Sequence, residues 1–558
     1  MKRPKLEELS LVEKIAQLVM VRFSVTVYEP QENDTFVKRS DEQIREIFQK
    51  YQYGSIRHSG SYLMATEMLD YGTKKMSTAE AKRNIEVAQS AVRLPLLVAL
   101  DAERGAGSEF CDCTLTGSPL AVGAADDEEL TFALNAAVAR EVKAAGANWR
   151  WTPIADMGNR YSPTTIGRGF SDDPDKIIKH AIAAVRGMQS EKVAATVKHF
   201  PGGDPYDIRD AHIVPTSVNI SLEEWRETQK KTFQAVIDAG VYTVMIGHTA
   251  FPAVDDTMIN GQYIPATMSE KIIKGLLREE MGFDGVVITD SVLMNSYRTI
   301  CGYEEALIRS INAGNDVLLG VDPYDYEIVY NAVINGRIPM ERIDESAERV
   351  LKLKEKLGLF DEEEPEQIDI QQQKQITANI NRQIAEKAVT LLYDKNEMLP
   401  LNKDKIKNVT IVCSSHNPDT AKALGVMVDA FAERGAKAKI VGDIPDPYTV
   451  KKMADENDLI IYAAYVASHN PMGMPSLYGE KIKTYIQAFT FGKEKSIGIY
   501  LGYPYVNIDF MVGENTFFNM YAPDAETQVA FVKTLYGELP IQTSSPVDIE
   551  PKIRKIFG

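Results

Sequence analysis

The chain has 558 residues, too many for one ordinary hydrophobic core, which predicts a large domain followed by a second one. Its 44% apolar and 25% charged residues are typical of a globular protein, and no run approaches the roughly 20 apolar residues of a membrane span. A net charge of -17 disfavours nucleic acid and membrane surfaces as partners, so a neutral or cationic ligand is expected.

The amino terminus and the cysteines favour a cytoplasmic protein. Charged residues between Glu7 and Lys14 interrupt the apolar region that a signal peptide needs. The four cysteines are too few for a disulfide framework, which fits a reducing compartment. Cys111 and Cys113 lack a second Cys/His pair at ligand spacing, so two ordinary thiols are favoured over a metal site.

The first 320 residues alternate short apolar, β-rich runs with longer segments of helical periodicity. Eight such units predict a (β/α)8 barrel, in which chemistry gathers at the carboxyl ends of the strands. The eight predicted strands are Leu18 to Phe23, Gly54 to Arg57, Leu96 to Asp101, Trp149 to Ile154, Ala194 to Lys198, Tyr242 to Gly247, Gly285 to Asp290 and Asp316 to Gly320.

The stretch FDEEEPEQIDIQQQKQ, from Phe360, is acidic, rich in Gln and poor in large apolar residues, which predicts a connector. We therefore expect a barrel over 1–360, a linker over 361–385 and a doubly wound α/β sandwich domain over 386–558. This second domain has no G-x-G-x-x-G or Walker sequence, so no nucleotide site is predicted. Its predicted strands are Val409 to Cys413, Lys439 to Val441, Leu459 to Ala464, Ile497 to Leu501 and Thr516 to Met520.

Asp290 ends the seventh predicted strand, in GFDGVVITDSVLM, and so reaches the catalytic face of the barrel. Asp is also a favoured helix N-cap, and that structural role is an equally good interpretation of the residue alone. The functional interpretation is a nucleophile that attacks an anomeric carbon and forms a glycosyl-enzyme intermediate.

Two histidines follow the fifth predicted strand. In ATVKHFPGGD, Lys198 and His199 are neighbours and face opposite ways on a regular strand, so both reach one ligand only if the strand twists at its end. In the loop RDAHIV, Asp210 and His212 share one side of an extended segment, so the carboxylate can orient the imidazole. Asp-x-His is a weak pattern by itself, and chance occurrence on a solvated loop is the alternative.

Further charged residues follow the third and fourth strands. They are Asp101 and Glu103 in ALDAERG, and Asp156, Arg160 and Arg168 in IADMGNRYSPTTIGRGF. Such mixtures of carboxylates and cationic donors bind sugar hydroxyls. For any one of these residues an ordinary ion pair at the barrel rim explains it equally well.

The motifs together resemble glycoside hydrolase family 3. They are ALDAERG, IGRGFSDDP, KHFPGGD, DAH, VMIGHTAFP, PATMSEKIIKGLLREEMGFDGVVITDSVLM and AVTLLYDKNEMLPL, in that order. The resemblance covers nearly all of the barrel and, more loosely, the second domain. It implies that Asp290 is the nucleophile and that His248 of G-H-T lies near the site. It also implies a set of residues that hold the sugar: Asp101, Arg168, Lys198 and His199.

The acid/base group separates the branches of this family. β-Glucosidases take a Glu from the second domain, whereas β-N-acetylglucosaminidases use an Asp-x-His pair in the loop after K-H-F-P-G. The resemblance of Asp210-Ala211-His212 to that pair implies a retaining, exo-acting β-N-acetylglucosaminidase that needs no metal or organic cofactor. It also implies that the sugar can be released to inorganic phosphate instead of water.

Three alternatives remain at this stage. The chain is a β-glucosidase or β-xylosidase if its acid is a second-domain carboxylate such as Glu480 or Glu514. It is a sugar-binding protein if the barrel has lost its chemistry. The loop also departs from the usual K-H-F-P-G-H-G-D, since it reads KHFPGGDPYD. Asp204 and Asp207 in that loop are therefore rival carboxylates for the acid role.

Overall fold

The structure is a computed structural model, which describes residues 2–30, 36–58, 75–157, 165–362, 366–395, 397–417, 419–444, 446–466, 477–505 and 516–549. Within them the chain forms a closed eight-stranded barrel, followed by a six-stranded sheet flanked by helices. The predicted combination of a (β/α)8 barrel with a second α/β domain is confirmed. In the described part of the chain, no helix is long and apolar enough to cross a membrane.

Each of the eight runs predicted in the barrel overlaps one strand, and all eight strands are parallel. The first strand pairs with both the eighth and the second, which closes the barrel. Its strands are β1 (Val19–Arg22), β2 (Ser55–Arg57), β3 (Leu97–Leu100), β4 (Trp149–Arg150), β5 (Ala194–Phe200), β6 (Thr243–Ile246), β7 (Val286–Ser291) and β8 (Val317–Val321).

Alternate residues of these strands face the inside of the barrel, as the period of two in a strand requires. Met20, Leu97, Trp149 and Ile288 belong to the interior cluster. Their sequence neighbours pack outward in the large core between strands and helices. The same alternation carries the next inward residue of each strand to the mouth of the barrel at its carboxyl end.

Helices cover the outside of the barrel and return the chain to the amino end of each strand. The main ones are Leu11–Leu18, Asp41–Tyr51, Thr78–Gln89, Pro119–Ala125, Glu128–Ala144, Pro174–Ser190, Leu222–Glu227, Gln229–Asp238, Lys271–Glu280, Tyr303–Ala313, Asp325–Ile334 and Met340–Lys356. Short helices lie at Phe23–Val27 and Asn295–Arg298, and two small hairpins pair Tyr28–Pro30 with Phe36–Lys38 and Met258–Ile259 with Gln262–Tyr263.

The segment predicted as a linker differs from expectation, because a helix begins inside it. This bridging helix, Ile370–Ala388, starts at Asp369, whose carboxylate accepts from the backbone N–H groups of Gln371 and Gln372. Its buried face is partly polar: the Gln373 side chain donates to the carbonyl of Ala137 at 3.2 Å. Hydrogen bonding replaces apolar burial on this face, so the sequence lacks the hydrophobic period of a helix. The domain boundaries themselves remain a prediction.

The second domain contains a sheet in the order β9-β14-β13-β12-β10-β11. Its strands are β9 (Thr390–Asp394), β10 (Asn408–Ser415), β11 (Lys437–Val441), β12 (Leu459–Tyr465), β13 (Ser496–Tyr500) and β14 (Thr516–Asn519). Five strands are parallel and match the predicted runs. Strand β9 was not predicted, and it pairs antiparallel with β14 at one edge. Helices at Thr420–Ala423, Gly425–Ala432, Pro447–Glu456, Glu480–Gln487 and Ala525–Leu535 connect the strands.

A pair of carboxyl groups lies where the bridging helix meets the barrel and the second domain. The Asn381 side chain donates to Asp524 at 3.1 Å and to Glu526 at 3.2 Å, and its own oxygen accepts from the backbone N–H of Gly117 at 3.0 Å. Burial is the larger cause, and the negative charge of Asp524 the second, of the rise in the pKa of Glu526 to about 7. The folded protein therefore holds a proton at Glu526 that the unfolded chain releases at lower pH.

This raised pKa predicts that Glu526→Gln stabilises the protein only at higher pH. As pH rises from about 4.5 to about 7, the unfolded chain loses the proton before the folded protein does, so stability falls across that window. Glutamine removes this loss. We expect its Tm to exceed that of the unsubstituted protein by about 2 °C at pH 8 and to match it near pH 4.

Calorimetry at both pH values measures the effect, with Glu433→Gln at a side chain that is 74% exposed as the control. An equal Tm difference at the two pH values would contradict the raised pKa of Glu526 in the folded protein.

Candidate active site

Asp290 lies at the carboxyl end of β7. Its side chain faces the inside of the barrel, on the same side of the strand as Val286 and Ile288. The next helix starts at Asn295 after the flanking residue Met294, so Asp290 does not cap it. Burial alone raises the pKa of Asp290. Interactions with the imidazoles of His199, His248 and His212, and with the backbone N–H of Ser291 at 2.6 Å, lower it by more, so the net pKa lies well below its usual range. Asp290 is therefore an ionised carboxylate held inside the barrel mouth.

Four charged side chains form a buried ion cluster beside it: Asp101, Glu103, Arg168 and Lys198. The Lys198 ammonium contacts Asp101 at 3.0 Å and Glu103 at 2.6 Å. Arg168 donates to both oxygens of Glu103, at 2.7 and 2.8 Å. The Glu103 and Lys198 side chains are only 1% and 2% exposed. This cluster unites three residues that the sequence assigned to sugar binding, with Glu103 at its centre.

The opposite charges within the ion cluster determine the protonation of Glu103 and Lys198. Burial raises the pKa of Glu103, but Arg168 and Lys198 lower it more, so the net pKa lies well below its usual range. Burial lowers the pKa of Lys198, and Glu103 and Asp101 raise it above the usual value. Glu103 and Lys198 therefore stay charged at neutral pH, and Asp101, with a side chain that is 32% exposed, is the member that faces the mouth.

His199 reaches the same mouth as Lys198 because the strand is irregular there. The register between β5 and β6 shifts between Val197 and Phe200, as at a bulge, which breaks the alternation that would turn neighbours apart. His199 Nδ1 lies 2.7 Å from Asp156, whose other oxygen accepts from the His199 backbone N–H at 3.1 Å. Asp156 thereby fixes the orientation of the His199 ring.

Asp210 and His212 form the predicted pair in the loop after β5. His212 Nδ1 lies 2.7 Å from Asp210 Oδ1, and the same oxygen accepts from the His212 backbone N–H at 2.9 Å. The Asp210 side chain is 2% exposed and that of His212 is 30% exposed. The His212 carbonyl accepts from the N–H of Asn295, just after β7, so the pair is tied to the chain segment that follows Asp290.

The rival carboxylates of this loop have structural partners. Asp204 accepts from the backbone N–H of Tyr206 at 2.6 Å and from that of Asn219 at 2.7 Å, while both Asp207 oxygens pair with Arg209. Neither has the exposed, histidine-linked geometry of the Asp210 pair. The loop geometry therefore disfavours both as the acid.

The glycines that begin this loop form a fixed turn. Gly202 has a φ of +99°, and a side chain there would collide with Gln229, whose amide donates to the Gly203 carbonyl at 2.9 Å. The Trp225 indole donates to the Pro201 carbonyl at 2.8 Å. The base of the loop is thus anchored to the helices that follow it, and the mobility expected from two adjacent glycines is restricted there.

His248 lies behind the nucleophile and is fully buried. Its Nε2 lies 2.9 Å from the carbonyl of Ser291 and its Nδ1 3.0 Å from the Thr267 hydroxyl. Burial lowers the pKa of His248, which favours a neutral ring that donates from Nε2. Because both ring nitrogens contact protein groups, His248 supports the end of β7, and its part in substrate binding stays a prediction.

The other predicted carboxylates and cations are less informative. Glu480 begins a helix of the second domain and is 71% exposed beside Lys483. Glu514 and Arg160 lie outside the described residues. Across the described ranges there is no group of three or more His, Cys, Asp or Glu residues arranged to hold a metal ion.

Two partners in the site were noted in the sequence without a role. Glu103 organises the ion cluster, and Asp156 orients His199. Both follow strand ends, which is the only sequence signal that pointed to them. Their partners lie on other strands, so the pairing itself is not visible in the sequence.

The ion cluster predicts a large loss of stability in Glu103→Ala. Removing this carboxylate leaves Lys198 and Arg168 buried without their shared partner, which costs about 3–5 kcal/mol of unfolding free energy. Urea unfolding followed by tryptophan fluorescence measures it. Glu129→Ala, at an exposed position on Glu128–Ala144, should change the unfolding free energy by no more than about 0.5 kcal/mol. Equal losses in the two variants would show that the cluster does not stabilise the barrel.

Comparison with known proteins places this geometry in a family. Residues 10–353, more than half of the chain, match the model described as the glycosyl hydrolase family 3 N terminal domain. A "Beta-N-acetylglucosaminidase/beta-glucosidase" of Cellulomonas fimi is 27% identical over 536 residues, covering 91% of this chain and 93% of its own. A "Beta-hexosaminidase" of Stenotrophomonas maltophilia is 33% identical over 258 residues, covering 45% of this chain and 73% of its own.

Solved structures agree on the architecture of both domains. "Beta-glucoside phosphorylase BglX bound to 2FGlc" superposes with a TM-score of 0.82 at 25% identity, covering 97% of this chain and 95% of its own. A family 3 β-N-acetylglucosaminidase from Paenibacillus sp. str. FPU-7 gives 0.78 at 24% identity, covering 97% and 99%. Together with the barrel and its charged mouth, the family match shows that this chain belongs to glycoside hydrolase family 3.

Proposed function

We propose that this glycoside hydrolase is a retaining, exo-acting β-N-acetylglucosaminidase with Asp290 as nucleophile and His212, oriented by Asp210, as acid/base. The observation that carries the proposal is the 2.7 Å contact between His212 and the buried Asp210. The hydrogen bond from the Asn295 N–H to the His212 carbonyl holds His212 near the strand of Asp290. This supports the action of His212 and Asp290 on the same glycosidic bond.

In the first step, Asp290 attacks the anomeric carbon while His212 gives a proton to the glycosidic oxygen. Asp210 holds Nδ1, so the proton is transferred from Nε2 on the other edge of the ring. The lowered pKa of Asp290 keeps the nucleophile ionised at the pH of the reaction. The leaving group departs with the proton, and the sugar stays esterified to Asp290.

In the second step, His212 removes a proton from water, which displaces Asp290 from the opposite face. Two inversions give a product with its β configuration retained. Phosphate is a second acceptor, because a neutral imidazole does not repel an anion as a carboxylate would. The similarity to a structure named as a β-glucoside phosphorylase supports this branch of the reaction.

The terminal sugar is held by Asp101, Arg168, Lys198 and His199. Asp101 is the exposed edge of the ion cluster, and His199 is fixed by Asp156, so both offer hydrogen bonds to sugar hydroxyls. Arg168 and Lys198 are more deeply buried and act mainly by fixing Glu103 and Asp101. An exo mode of attack follows if this cluster closes the inner end of the sugar pocket.

A β-glucosidase is the second candidate, since the Cellulomonas fimi relative is named for both activities. We expect faster turnover of a nitrophenyl β-N-acetylglucosaminide than of the matching β-glucoside, with and without phosphate. Chromatography of the products should then find sugar 1-phosphate when phosphate is present. Faster turnover of the glucoside would favour the second candidate and an acid from the second domain.

The assignment of His212 predicts a loss that grows as the leaving group worsens. His212→Ala should lower kcat/KM about 10²- to 10⁴-fold for an alkyl or sugar leaving group, which needs the proton. The loss should be much smaller for dinitrophenolate, which leaves unprotonated.

Asp207→Ala is the matched control on the same loop, because its carboxylate pairs with Arg209 and not with His212. If both variants lose the same factor on both substrates, His212 is not the acid.

A further inference from the structure

Arg57 is the last residue of β2, and its side chain is half-buried. Its register partner on β1 is Arg22, two residues after the inward-facing Met20, and Ile56 packs outward in the core. Alternation therefore turns Arg57 into the barrel mouth, where Asp290 also lies near the end of β7. Neither the sequence patterns nor the proposed reaction uses this guanidinium.

The other cations of the mouth have carboxylate partners. Arg22 donates from Nε to Asp322 at 3.0 Å, and Lys198 and Arg168 belong to the ion cluster. Among the residues that the structure describes, Arg57 has no ion pair and no hydrogen bond from its side chain. A guanidinium that is half-buried without a partner costs solvation free energy, which a bound anion would offset.

Arg57 is close to the nucleophile strand. Gly320, which has a φ of +85°, lies between Arg57 and Ser291. A Cβ atom built on Gly320 would be 3.7 Å from Arg57 Nη1 and 3.4 Å from Ser291 Oγ. The Ser291 backbone N–H donates to Asp290. The absence of a side chain at Gly320 therefore leaves the guanidinium and the end of β7 on the same side of the mouth.

A second polar group without a partner lies beneath Arg57. Ser55 is two residues earlier on β2, shares the inward parity and is fully buried. Within the described part of the chain, its hydroxyl makes no hydrogen bond. A donor directed into the barrel below an unpaired cation is an arrangement suited to the oxygens of an anion.

We propose that Arg57 binds an oxyanion in the barrel mouth, beside Asp290. The ligand chemistry is a phosphate, sulfate or carboxylate group, which a planar guanidinium binds with two parallel hydrogen bonds. Two sources supply it: an acidic substituent on the sugar, or inorganic phosphate that accepts the sugar. The second source rests on the proposed covalent intermediate, whereas the binding site itself does not.

The charge of Asp290 explains when an oxyanion binds best. Asp290 has no ion pair to Lys or Arg within the described residues, and the ionised carboxylate repels an incoming anion. Esterification by the sugar removes that charge. The repulsion of an incoming anion by Asp290 is then removed, while the Arg57 cation remains.

In the phosphate branch, a phosphate oxygen forms the new bond to the anomeric carbon as the bond from that carbon to Asp290 Oδ breaks. The electron pair returns to the Asp290 carboxylate, and neither oxidation nor reduction is involved.

Calorimetric titration of inorganic phosphate into the full chain tests the acceptor source. Asp290→Asn imitates the loss of charge, so we expect it to bind phosphate about tenfold more tightly than the unsubstituted protein. Adding Arg57→Gln should abolish that gain, while Arg57→Lys, which keeps the charge, should retain most of it. Arg309→Gln, a charge removal on the surface helix Tyr303–Ala313, is the matched control and should leave the gain intact.

Titration of N-acetylglucosamine 6-phosphate beside N-acetylglucosamine tests the substituent source. Tighter binding of the acidic sugar that disappears in Arg57→Gln, with no Arg57-dependent binding of free phosphate, would assign the oxyanion to the substrate. The proposal is overturned if Arg57→Gln, shown to be folded by circular dichroism, binds both anionic ligands as the unsubstituted protein does. Because these are equilibrium measurements without turnover, that outcome would leave the proposed glycosidase reaction untouched.

Discussion

In a closed parallel barrel only every second residue of a strand can reach the lumen, and the charged mouth of this molecule depends on that constraint. Val286 and Ile288 fill the interior, so the next residue of the same parity, Asp290, arrives at the open end. The same rule brings Asp101 and Arg57 to the mouth from β3 and β2. Groups that are far apart in the sequence thus share one layer without any loop to position them.

The mouth combines two kinds of electrostatic arrangement. The ion cluster around Glu103 is buried, and its members keep their charges because each lowers the cost of the others' burial. The two histidines, His199 and His212, are partly exposed, and a buried carboxylate, Asp156 or Asp210, orients each ring. The mouth therefore joins a buried set of charges with two oriented imidazoles that remain accessible to a ligand.

The sequence predicted what is local and missed what is set by distant contacts. The barrel strands are continuous apolar runs, and Asp210 and His212 are two residues apart, so both features depend on neighbours in the chain. The bridging helix was missed because its buried face uses hydrogen bonds such as that of Gln373. The surroundings of Glu103 and Arg57 are set by other strands. Spacing in the sequence does not show that Glu103 pairs with Lys198, or that Arg57 has no ion pair among the described residues.

The loop that carries His212 is held beside the segment after β7 by its own hydrogen bonds. It lacks the second histidine of the usual motif, and Asp204 lies in the altered stretch. Asp204 closes the loop on itself by accepting from Tyr206 and Asn219, and Asn295 ties the far end to the segment after β7. A carboxylate that accepts backbone N–H groups is present in this altered stretch, so the shape of the stretch is set by internal hydrogen bonds. The 2.7 Å contact between His212 and Asp210 thus forms in a loop without the second histidine.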